Sequence, residues 1–105
     1  MTDKRLVLTT AGSRDEARRI AEALVDRRLA ACVNVVPGIL SIYRWKDKRE
    51  EADEWLLLIK TTDAAFERVR DAVREMHSYD LPECLYLAIE GGSEEYLNWL
   101  AESVE

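Results

Sequence analysis

The sequence predicts an α+β fold of the split β-α-β kind, ordered β-α-β-β-α-β with one more helix at the C-terminus. Two amphipathic stretches carry apolar residues at helical spacing: Ala17, Ile20, Ala21, Leu24 and Val25, then Phe66, Val69, Val73 and Met76. Two strand-like runs, residues 30–45 and 55–61, follow each other between those stretches, and single apolar runs open the chain and follow Leu81-Pro82. Gly91-Gly92-Ser93 then leads into Leu97, Leu100, Ala101 and Val104, a last helical stripe.

Taken in order, Leu6-Val7-Leu8-Thr9-Thr10 is a short strand. Ser13-Arg14-Asp15-Glu16 after it reads as a capping box, serine at the N-cap and glutamate three residues on, and the helix ends near Arg28. The second strand is long and bends at Pro37-Gly38, because proline removes a ladder donor and glycine tolerates φ > 0. Residues 46–53 are polar and charged and are expected to reverse the chain, with Asp47 as the turn residue. Strand three follows over residues 55–61, and Thr62 or Asp63 is placed to cap the second helix, which ends near His77. Residues 84–89 form a fourth strand. The whole is ferredoxin-like, with both crossover helices on one sheet face. Residues 55–59 and 84–89 are apolar on both faces, so the second face needs a cover that one short helix cannot supply, and neighbouring copies of the same chain are expected to provide it.

The 105 residues (1–105) make a single domain, 48% hydrophobic and 34% charged. The opening Met1-Thr2-Asp3-Lys4-Arg5 enters a strand with no apolar stretch of signal or membrane-span length, so no membrane partner is expected and a cytoplasmic location is. Cys32 and Cys84 lie in apolar strand-like runs and read as reduced, small buried hydrophobes. Fifteen basic against twenty-one acidic residues, a net charge of -6, oppose nucleic-acid binding.

His77, the single histidine, stands where the second helix ends: it suits a helix C-terminus, and it is also a metal-ligand candidate. His77, Glu83 and Cys84 lack the spacing of a zinc motif, but Cys32 can join such groups through the fold or between copies, and thiolate with imidazole suits copper or zinc. Tyr43 and Trp45 share one strand face and suit either an interface or a ligand pocket. Lys60 ends an apolar strand and can meet Glu83, hold an anion, or extend to water. Phosphate-loop and nucleophile-elbow motifs are missing and the one histidine has no nucleophile partner, so no enzymatic activity is expected.

Several blocks resemble the CutA family of divalent-cation tolerance proteins: Arg28-Leu29-Ala30-Ala31-Cys32-Val33-Asn34, Pro37-Gly38, Ser41-Ile42-Tyr43-Arg44-Trp45, Leu57-Leu58-Ile59-Lys60-Thr61, His77, Tyr79, Pro82-Glu83 and Tyr96-Leu97-Asn98-Trp99. The resemblance implies a homotrimer similar in architecture to PII signalling proteins, with strands pairing between subunits. It implies tolerance of divalent cations with copper as the proposed ion, Cys32, His77 and Glu83 as ligands, and Tyr43, Trp45, Lys60 and Tyr79 lining an intersubunit cleft. The alternative implied role is a PII-like sensory or scaffold trimer that takes a small anionic ligand in that cleft. The chain departs from the family pattern at Ser78, where proline is usual, at Asp80, where glutamate is usual, and at Asp47, where glycine is usual.

Overall fold

A computed structural model describes residues 2–105. The elements are β1 (Lys4–Ala11), α1 (Arg14–Asp26), β2 (Cys32–Trp45), β3 (Lys48–Thr62), α2 (Phe66–Met76), β4 (Leu85–Ala88) and α3 (Glu94–Ser103). The four strands form one sheet in the order β2-β3-β1-β4, with every neighbouring pair antiparallel. This is the expected split β-α-β arrangement. Val7, Leu57 and Ile59 from the sheet pack in one cluster with Ile20 and Leu24 of α1 and Val69 and Val73 of α2, so both crossover helices cover the same face. No helix among the described residues is long and apolar enough to cross a membrane.

The bend in β2 lies where Pro37-Gly38 place it: Val36 pairs with Leu56 and Ile39 with Glu54, two residues opposing one, and Gly38 has φ 76°. The expected reversal over residues 46–53 is corrected. Only Lys46 and Asp47 turn, at φ 51° and 65°, and the ladder continues from the Trp45↔Lys48 pair down to Ile39↔Glu54. Positive φ at both central residues marks a two-residue hairpin turn whose twist matches the strands. The charged stretch is therefore strand. Charged residues are tolerated there because the β2–β3 ribbon runs past Ala11↔Trp55, the last β1 pair, and among the described residues no third strand pairs with it beyond that point.

Other local readings shift in detail. Ser13 caps α1, accepting from the Glu16 N–H at 3.1 Å, but the Glu16 carboxylate turns away from the cap and accepts from the Ser78 N–H at 2.8 Å. Helix α2 begins after Ala65, not at a side-chain cap, while Thr62 Oγ1 accepts from the Ala65 N–H at 3.3 Å in the preceding turn. The strand expected over residues 84–89 is four residues long, and its Leu85, Tyr86 and Leu87 are exposed in the single chain. Helix α3 buries Leu100 completely, yet Leu40 and Ile42 on the ribbon stay about as exposed as Leu85.

Candidate functional site

The ribbon and the segment leaving α2 enclose a cleft of about 670 Å³, lined among others by Thr10, Tyr43, Trp45, Glu54, Tyr79 and Glu83. Each side of it is tied to the sheet. His77, the residue that ends α2, donates its own N–H to Val73 O at 2.9 Å. Its ring Nδ1 lies 3.1 Å from the Tyr79 backbone nitrogen and accepts from that N–H, so Nε2 carries the ring proton and donates to Thr10 O at 2.6 Å. One imidazole thus pins the segment after α2 to the end of β1.

Tyr79 is set by two further features. Gly12 leaves room for it, since a Cβ on Gly12 would stand 2.9 Å from the Tyr79 hydroxyl oxygen. That hydroxyl donates to Glu54 Oε2 at 2.8 Å. Burial, and then the hydrogen bond to the Glu54 side chain, push the Tyr79 phenol up to about 12. Burial, with Glu54 as a like charge, also raises the Glu83 carboxyl above its ordinary value. Behind this wall Glu16 is held below its ordinary value: burial opposes its charge, but hydrogen bonds from Ser78 outweigh that cost.

Of the residues named from the sequence, Tyr43, Trp45, Tyr79 and Glu83 come together in the cleft. Lys60 does not. Its ammonium hydrogen-bonds Asn34 Oδ1 and lies 3.9 Å from Cys32 Sγ, away from Glu83. Cys32, His77 and Glu83 are likewise not assembled within one chain, and among the described residues no group of three or more His, Cys, Asp or Glu is placed to hold a metal ion. The reasons are local: Cys32 is at the β2 start beside Lys60, and both His77 ring nitrogens are already in hydrogen bonds. Both cysteines are free thiols. Glu54 is the residue the sequence reading missed. It sits between the charged run and the apolar strand, and the long-range contact that buries it, from Tyr79, leaves no sequence signal.

A four-stranded split β-α-β sheet with two helices on one face, and a cleft with acidic and aromatic lining at the base of its ribbon, define a small α+β domain. Residues 5–103 match the family model of the CutA1 divalent ion tolerance protein, and the chain belongs to that family. The divalent-cation tolerance protein CutA of Thermus thermophilus is 51% identical over 98 residues, covering 93% of this chain and 95% of that protein. A solved structure of the divalent cation tolerance protein from Thermus thermophilus superposes with TM-score 0.96 at 49% identity, over 97% of this chain and 99% of that one. The chloroplastic CutA protein of Arabidopsis thaliana is 43% identical over 93% of this chain, which spans 54% of the plant protein's length. The structure of a periplasmic divalent cation tolerance protein CutA from Archaeoglobus fulgidus superposes with TM-score 0.94 at 43% identity, over 97% of this chain and 99% of that one.

Proposed function

We propose that this member of the divalent-cation tolerance family is the subunit of a cytoplasmic homotrimer that binds a divalent cation, copper foremost, and catalyses no reaction. The observation that carries the binding role is the cleft's charge: Glu54, buried, lines one cavity with Glu83 and Asp80, and no basic side chain is among the lining residues. Carboxylate oxygens attract cations and repel anions. Of the ligand set Cys32, His77 and Glu83, the geometry supports Glu83, joined by Glu54; Cys32 and His77 would have to come from a neighbouring copy or give up their present partners. The PII-like reading, a small anion in the same cleft, is weakened because Lys60 points elsewhere.

Support for the trimer is the apolar surface that a single chain leaves uncovered at Leu40, Ile42, Leu85 and Leu87. Free thiols at Cys32 and Cys84 favour a reducing compartment. The single imidazole, engaged at both nitrogens, favours a structural role over acid–base chemistry. The test is calorimetric titration of copper into reduced, chelator-stripped protein whose mass is measured on the same sample. A saturable site at a simple ratio per chain in a trimer, weakened by Glu83→Gln, is the expected result. The absence of saturable binding, or binding indifferent to Glu83→Gln, removes the metal from the cleft.

A further inference from the structure

Glu54 is a buried carboxylate without a counter-charge. It is 7% exposed, its one hydrogen bond among the described residues comes from Tyr79 to Oε2, and no ion pair among those residues includes it. Glutamate is almost never so buried unless paired, because removing an isolated charge from water is among the most unfavourable steps in folding. Among the described residues no cation stands at that place. Lys60 is engaged at Asn34 and Cys32, and Arg44 and Arg49 face one another across the ribbon near its tip. Two further carboxylates, Glu83 and Asp80, line the same cleft, and no lysine, arginine or histidine is among its lining residues. What is missing from this wall is positive charge.

The rest of the cleft says what kind. A volume of about 670 Å³ is that of a small-molecule pocket and far exceeds what a bare ion fills. A metal ion is usually enclosed by several converging donors at short range, whereas among the described residues no three such groups converge, and the carboxylates share the cleft with Tyr43, Trp45, Leu81 and Pro82. Aromatic faces attract cations, and organic cations bring apolar surface for such walls to cover. We propose that the cleft binds a small organic ammonium ion, its charged head between Glu54 and Glu83 and its hydrocarbon part against Tyr43 and Trp45. This deepens the reading of the cleft as a cation site and rests on it; an organic ammonium and a divalent ion compete for the same two carboxylates.

The experiment titrates the native assembly with benzylammonium chloride, and in parallel with benzyl alcohol and sodium benzoate, the neutral and anionic counterparts of the same shape. Saturable binding of benzylammonium is expected, with the alcohol and the benzoate weaker by about tenfold or more, since a charged hydrogen-bonded contact is lost. Glu83→Gln, at an exposed position that tolerates the change, should weaken benzylammonium by about tenfold, and Trp45→Ala should weaken it severalfold. No saturable binding, equal binding of benzyl alcohol, or binding unaffected by Glu83→Gln overturns the proposal. A copper titration separates the two readings. Copper binding without benzylammonium binding overturns this proposal and leaves the metal reading standing. Benzylammonium binding without copper binding supports it and removes the metal.

Discussion

Two single residues show how much one atom can matter here. Thr9 is wholly buried under the helices, and its Oγ1 is the one buried side-chain polar atom among the described residues with no hydrogen-bond partner. An unsatisfied buried hydroxyl is a standing cost, so Thr9→Val should stabilise the protein by about 1 kcal/mol, read as a higher thermal midpoint at fixed protein concentration. An unchanged or lower midpoint would mean that the hydroxyl is satisfied. Tyr79 is the opposite case, a polar atom with a strong partner. A spectrophotometric titration should show one of the four tyrosines ionising near 12, and Glu54→Gln should bring that step down while burial keeps it above the ordinary value. A late step that Glu54→Gln leaves in place would separate the phenol from Glu54.

Within the elements, the hairpin turn is where composition and geometry part. Asp47 was legible as the turn residue because aspartate tolerates left-handed backbone, and it has φ 65°. The charged residues on either side were not legible as strand, since a ribbon without a covering layer lacks the alternation that marks a half-buried strand. Glycine adopts φ > 0 without the Cβ penalty, so Asp47→Gly should stabilise the ribbon by about 0.5–1 kcal/mol in denaturant unfolding. A loss of stability would show that the aspartate side chain itself holds the turn. The capping signal at Ser13 was likewise half legible. Serine caps α1 as its spacing indicates, but the Glu16 partner is drawn to Ser78, 62 positions away, because that N–H is the donor the packed helices bring within reach.

For the molecule as a whole, Leu40, Ile42, Leu85 and Leu87 expose apolar surface on one chain, and sedimentation at micromolar concentration should find a stable trimer. Leu40→Asp should shift it toward single chains; a wild-type monomer would refute the argument from uncovered surface. Acid should also be felt globally through Glu16. Its carboxyl is held below the ordinary 4.5, so the stability it contributes is complete above that value and is lost as pH falls through the depressed one. Glu83, raised, works in the other sense and is relieved by protonation. In denaturant titrations the deficit of Glu16→Gln relative to the native protein should therefore be full near about pH 7 and shrink below about pH 4. A deficit independent of pH would assign Glu16 a purely steric role.

Periodicity, capping residues and the Pro37-Gly38 bend determine the order of the elements, the crossover helices and the bulged second strand, because these follow from contacts between residues close in the chain. Tyr43, Trp45 and Glu83 were candidates from the sequence, and Tyr79 from the family resemblance. The tertiary structure alone decided that they share one cleft, that Lys60 and Cys32 lie outside it, that His77 is tied at both nitrogens, and that Glu54 is buried against Tyr79. Each of those outcomes depends on a contact between distant segments. Local propensity carries no information about which distant polar group will be in reach, and burial then sets what a charge at that place must find.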